Sequence, residues 1–344
     1  VSDRHSGRAL NAMGAGLRNI LRDKVAHGAV SAVLGIGGSR GSSMAARAMR
    51  ALPLGIPKII VTPSVAGPLR QTVGSSDIVV IPTVADLLGV NRITAPALRR
   101  AVRMLDAWLK ATGFRDKPGA LAAMTSFGVT TPCVAEVRRR LISCGIDVVV
   151  FPANGVGGAA MEQLATQGLL SGIIDITTHE VVDTLLGGAC ACESMADRFK
   201  STGSFRVPRV VSFGATDFAN FNAGAVPQHL SARQFYEHSA TTKLMRISVE
   251  ESERVGETIG ACLATIDAPF SVLAPIGGFS EYDRVDGPFW NPIADAACVG
   301  AVESRISGTS GKLTRRDHHI NDSAFAQALA EEFLRLIEHP SSTS

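Results

Sequence analysis

The sequence predicts an α/β fold of doubly wound, mostly parallel sheets, and three observations carry that prediction. Short runs rich in Val and Ile recur along the chain, as expected of strands buried on both faces. Stretches of helical period separate them and can serve as the crossovers that parallel strands require. The chain has 344 residues, 46% of them hydrophobic, enough to bury the cores of two α/β domains or of two lobes of one.

In chain order, a helical pattern over 7–25 leads into a strand at 31–35 that ends on a glycine. An Ala- and Met-rich helix over 42–51 precedes strands at 58–61, Lys-Ile-Ile-Val, and 78–81, Ile-Val-Val-Ile, and a helix over 95–110 follows. Turn formers and charges at 112–119 then interrupt the pattern, which places a boundary between a first lobe, 1–114, and a second, 115–344. Beyond it, strands at 120–125, 147–151, 173–176, 210–213, 243–247 and 271–274 are separated by helices at 132–144, 158–167, 249–266, 291–306 and 322–337. Pro132 suits a first helical turn, where its missing N–H costs nothing. The first lobe has three strands and so reads as an incomplete sheet.

The 34 Lys and Arg nearly cancel the 31 Asp and Glu, leaving +3 with no run of like charge, so neither nucleic acid nor a membrane surface is an expected partner. Apolar stretches such as 146–152 fall far short of the roughly 20 residues of a spanning helix. Six cysteines over this length fit thiols in a reducing cytosol better than a disulfide scaffold, and a cytoplasmic location is expected.

Three turns join a strand to a helix at the carboxyl ends of strands, where open α/β sheets collect their ligands. The first holds Gly37, Gly38, Ser39, Arg40, Gly41 and Ser42; the second Asn154, Gly155, Gly157 and Gly158; the third runs from Phe127 to Cys133 and includes Thr130 and Thr131. The first two also head an echoed unit of glycine turn, Ala/Met helix and strand. Such a turn offers backbone N–H groups and the positive end of a helix dipole to an anion, while equally permitting nothing more than tight packing. The first turn is no Walker A loop, since Ser42 follows Gly41 where a lysine is needed, and the spacing of Gly35, Gly37 and Gly41 is one residue too long for a dinucleotide fingerprint. A phosphate or carboxylate cradle of another kind remains.

The ordered motifs 35–39, 48–58, 74–78, 90–93, 128–133, 155–158, 160–162, 175–178, 180–181 and 319–322 resemble the Tm-1-like ATP-binding domain family over nearly the whole chain. The resemblance implies two Rossmann-like lobes, ATP with Mg²⁺ as a possible companion, a homodimer, and a TIM-barrel domain or partner protein. It also implies a further N-terminal strand–helix portion that this chain, opening on Val1, is expected to lack. Arg40 stands where the family has a small residue, either clamping a phosphate or blocking the adenine route, and Asn154 where it often has Thr.

Among residues that do chemistry, Glu180 matches the family motif and is a candidate for a ribose hydroxyl, a metal or general-base work, or else a helix N-terminal acid with Thr178 as cap. Asp217 follows a strand and is the second candidate acid/base, or a turn Asp. Glu162 reads as complementing a helix dipole, Asp283 as part of a solvated loop, and His179 as a solvated surface group. Cys190 and Cys192 lack the spacing and the second pair of a structural zinc site, so no metal site is expected. Cys133, without an assigned histidine, reads as buried and inert, and no Gly-x-Ser-x-Gly elbow is present. The sequence therefore favours binding of ATP or a related phosphate ligand in a cleft between lobes. Phosphate would sit on 37–42 with 154–158 facing it, and Thr130 and Thr131 would donate hydroxyls. An enzyme for a small carboxylate or phosphorylated metabolite, using Glu180 or Asp217, and a regulatory module acting through a protein partner remain as alternatives.

Overall fold

The structure, a computed structural model, describes residues 2–64, 73–111 and 119–338. The chain forms two compact units, Val1–Lys117 and Pro118–Ser344. The expected boundary stretch, apart from Gly119, lies outside the described residues.

In the N-terminal unit, α1 (Ser2–Ala26), β1 (Val33–Ile36), α2 (Ser39–Met49), β2 (Lys58–Thr62), β3 (Val79–Pro82) and α3 (Thr94–Lys110) follow in order. The strands form a parallel sheet in the order β1-β2-β3. Period-two alternation along β2 sends Ile59 and Val61 toward Ala97 and Ala101 of α3, and Ile60 toward Ala46 and Met49 of α2. A run apolar on both faces is what lets helices cover both. Lys58 is fully buried at the start of β2, where its Nζ donates to the carbonyls of Pro53 and Ile56 and pairs with Asp77 at 2.7 Å.

The C-terminal unit begins with β4 (Leu121–Ser126), α4 (Thr131–Ser143), β5 (Asp147–Pro152), α5 (Gly157–Thr166), β6 (Gly172–Thr177), α6 (His179–Leu186) and β7 (Arg209–Gly214). Three antiparallel strands follow, β8 (Phe218–Asn222), β9 (Tyr236–Ser239) and β10 (Thr242–Arg246), then α7 (Val249–Leu263), β11 (Phe270–Pro275), α8 (Pro292–Ile306), β12 (Lys312–Arg316) and α9 (Ser323–Glu338). The main sheet has six parallel strands in the order β12-β11-β7-β6-β4-β5. Val211, Phe213 and Val272 face α6, α7 and α8, whereas Ile174, Ile176 and Val210 face α4 and α9. This is the doubly wound arrangement the strand pattern predicts.

The differences are local. The 243–247 run pairs not in the main sheet but antiparallel with β8 and β9. Strand β12, Lys-Leu-Thr-Arg-Arg, carries no apolar signature because it is the edge strand, and charged side chains suit an edge that faces water. Helix α6 spans 8 residues, too few to display a helical period.

Candidate functional site

The chain leaves β4 outward to β5 and then returns to place β6 on the other side of β4. That reversal makes the carboxyl ends of β4 and β6 a topological switch point, where a crevice forms. A pocket of about 410 Å³ opens there, beside the turn after β4, which contributes Phe127, Gly128 and Val129. The small antiparallel sheet closes the other side with Phe218, Asn220, Thr242 and Leu244, and Tyr282 and Glu281 reach in from the loop after β11. The walls are aromatic. Tyr282 stands 6.3 Å from Phe218 and 5.0 Å from Tyr236 between ring centroids, and its hydroxyl is 2.9 Å from His238 Nδ1. Walls with a π-face and a few polar tips suit a flat ring carrying hydrogen-bonding groups.

Behind Phe127 and Phe218 lies His179, fully buried rather than solvated, with its ring stacked 4.6 Å from Phe127 and tilted against Phe218 at 4.9 Å. Its Nδ1 lies 2.8 Å from the Ala215 carbonyl, and its Nε2 faces Asp183 Oδ2 at 3.4 Å without forming a hydrogen bond. Burial opposes the charge on this imidazole, but Asp183 and then Cys190 outweigh it and hold the proton affinity well above the ordinary histidine value. The sequence paired Cys190 with Cys192; the fold pairs it with His179 and Asp183, one turn apart on α6.

Glu180 lies in the first turn of α6, the place of the helix N-terminal acid among its expected roles, and its carboxylate has fixed partners there. Its Oε1 accepts the backbone N–H of Gly155 at 2.5 Å and of Gly158 at 3.4 Å, so the second glycine turn holds the chain's own carboxylate. Its Oε2 lies 2.9 Å from Arg198 Nε. Arg198 also bonds both oxygens of Asp175, at 3.1 and 2.8 Å, and reaches Glu162 at 3.4 Å. Arg209 grips the same Glu162 through two nitrogens. Glu162 is therefore no exposed dipole partner: it is fully buried, and burial, which raises its pKa, is outweighed by Arg209 and Arg198. Burial is the larger influence at Glu180 and raises its pKa despite Arg198. Gly158 must be glycine here, since a Cβ would run into the Glu180 carboxylate and Arg198.

The remaining candidates divide by burial. Thr130 is buried, with its hydroxyl bonded to the Phe127 carbonyl at 3.0 Å and 2.8 Å from Thr177 Oγ1, and Thr178 donates to the Ser212 carbonyl instead of capping α6. Thr131 is exposed, and Asn154 Oδ1 accepts from Val156 N–H at 3.4 Å. In the first turn Ser42 turns its hydroxyl back onto the carbonyls of Gly38 and Ser39, so it is not a donor to an outside anion. Gly38 faces open space, Ser39 and Arg40 are exposed, and the first turn of α2 has no acidic residue. Gly37 and Gly41 pack against each other, where a Cβ on Gly37 would be tight.

Asp217 is fully buried and accepts Ser280 Oγ–H at 2.7 Å, while Asp283, expected in a solvated loop, is also fully buried and accepts the Phe279 N–H. Burial and then Asp283 raise the Asp217 carboxyl to about 7. Asp295 is raised to about 8, again by burial first and Asp283 second, although it pairs with Arg246 at 2.6 Å. Cys133 is buried as expected, and burial pushes its thiol up to about 12. No described helix is long and apolar enough to cross a membrane.

Comparison with known proteins places the chain. The N-terminal domain of the uncharacterised protein family UPF0261 matches residues 1–112, and its C-terminal domain matches 119–337. The expected lack of the family's N-terminal portion finds no support in these matches. A UPF0261 protein of Mesorhizobium japonicum is 40% identical over 335 residues, covering 97% of this chain and 83% of that protein. The ToMV resistance protein Tm-1(GCR237) of Solanum lycopersicum is 34% identical over 315 residues, covering 89% of this chain and 42% of that protein. The tomato ToMV susceptible protein tm-1(GCR26) is 32% identical over 338 residues, 96% of this chain and 45% of that protein. With both domains matched and relatives aligned along nearly all of its length, the chain belongs to the UPF0261 family, and the tomato Tm-1 proteins are among its relatives.

Proposed function

We propose that the protein binds a nucleotide, with ATP the first candidate, and that the flat base sits in the aromatic pocket at the switch point of the C-terminal unit. The pocket carries this reading. Its volume of about 410 Å³ is of the size that holds a small ligand, and Phe127, Phe218 and Tyr282 supply stacking faces beside the Asn220 amide. The turn at 155–158 already holds the Glu180 carboxylate and offers no free amide cradle to a phosphate. The resemblance to the Tm-1-like family supports ATP with Mg²⁺, as well as a cytoplasmic homodimer. The enzymatic alternative gains nothing from the pocket walls, because neither Glu180 nor Asp217 lines them.

Calorimetric titration of the full chain with ATP, with and without Mg²⁺, with adenosine and with small carboxylates tests the reading. ATP and adenosine should both bind saturably, and Tyr282→Ala should weaken each about tenfold, the worth of one aromatic contact. Binding of small carboxylates alone, or nucleotide binding indifferent to Tyr282→Ala, would reject it.

A further inference from the structure

We infer a second site directly behind the pocket wall, a binding site for a zinc-class divalent cation formed by His179 Nε2, Asp183 Oδ2 and Cys190 Sγ. Residues four apart share a helix face, so α6 presents His179 and Asp183 side by side, and the turn through Gly187 and Gly188 brings Cys190 back beneath them. The three donor atoms lie within 4.8 Å of one another and all three residues are buried. Nε2 and Oδ2 are 3.4 Å apart. Donors bound tetrahedrally at about 2.0–2.3 Å stand roughly 3.5 Å from each other, so a cation fits with small side-chain shifts.

The orientation of each donor is already set by a second layer of hydrogen bonds. Nδ1 is 2.8 Å from the Ala215 carbonyl, an acceptor only, so Nδ1 carries a hydrogen, and a cation that displaces the Nε2 proton meets the lone pair of that nitrogen directed inward. That buried Nε2 has no hydrogen-bond partner among the described residues. Asp183 Oδ1 accepts the Asn220 N–H and Oδ2 the Cys190 N–H, each at 2.8 Å. A carbonyl behind the histidine and amides behind the carboxylate are the usual outer partners of metal ligands. Gly188 packs so tightly on the Asp183 carboxylate that a Cβ there would collide with it. One nitrogen, one sulfur and one oxygen form a set for zinc or cobalt rather than for calcium or magnesium.

The fourth position faces Asn220. Its amide lies 3.6 Å from Cys190 Sγ, its Oδ1 is buried without a partner among the described residues, and the same residue lines the pocket. Exchange of the amide's N and O, which hydrogen-bond geometry alone assigns, turns that oxygen to the cation. The site stands independently of the nucleotide reading.

The test is cobalt substitution of the full chain after dialysis against EDTA. A cobalt–thiolate charge-transfer band is expected in the unaltered protein and in Cys192→Ser, and is expected to vanish in Cys190→Ser. If Cys190→Ser does not fold, the cadmium-113 resonance of the unaltered chain reports the same thing through the shift of a cation with one sulfur ligand. Absence of the band and of such a resonance from the unaltered protein, or a band that persists in Cys190→Ser, overturns the site and leaves His179 and Asp183 as a buried ion pair.

Discussion

Arg198 satisfies three acids at once. Removing a charge from a buried pair leaves the partner uncompensated in a medium that solvates it poorly, and such losses run to about 3–5 kcal/mol. With Asp175, Glu180 and Glu162 all dependent on this guanidinium, Arg198→Met should lower stability by at least that much, read as a shift of the urea midpoint at pH 7. A loss below about 1 kcal/mol would mean that the carboxylates take protons or water instead. Asp217 makes a prediction of opposite sign. It is faced by Asp283, Asp295, Arg246 and Ser280, and its folded carboxyl is raised to about 7. An unfolded Asp releases its proton near pH 4, so between about 4 and 7 the folded state holds the extra proton and stability falls as pH rises. Asp217→Asn, neutral throughout, should show a shallower fall in unfolding free energy over that window; an unchanged slope would assign the dependence elsewhere.

At the scale of elements, caps and close approaches decide where helices start. Ser248 Oγ accepts the Glu251 N–H at 3.2 Å while Glu251 Oε2 accepts the Ser248 N–H at 2.6 Å, a reciprocal box at the head of α7. Ser248→Ala should cost about 1 kcal/mol in chemical denaturation. Gly158 is harsher, because its missing side chain is the space that Glu180 and Arg198 use. Gly158→Ala should cost about 1–3 kcal/mol by overpacking and, unlike Ser248→Ala, should disturb the turn at 155–158. Amide hydrogen exchange at Gly155 separates the two, with faster exchange expected only in Gly158→Ala.

For the molecule as a whole, the C-terminal unit has an extensive core on both faces of its six-stranded sheet, built from its own helices. Residues 119–344 expressed alone should therefore melt cooperatively and keep the aromatic pocket; a broad, non-cooperative transition would show that the core needs more of the chain. The strands with both faces buried, such as β2, β6 and β11, were legible because continuous apolar runs are what two helical layers require. Strands β8, β9 and β12 were not, since an edge or a half-exposed sheet accepts polar residues that resemble a loop.

The candidate site divides along the same line. The sequence by itself determined the α/β class, the order of most elements and the glycine turns, because these depend on periodicity and on residues whose backbone freedom is intrinsic. Only the tertiary structure decided what those turns face. Glu180 was visible as an acid near a glycine turn, but Arg198, in no motif, made it an internal anchor. His179, read as a surface group, is buried because Phe127 and Phe218 close over it. The pocket gathers residues from the turn after β4, three antiparallel strands and a distant loop, and its chemistry arises from their juxtaposition, which local sequence does not encode.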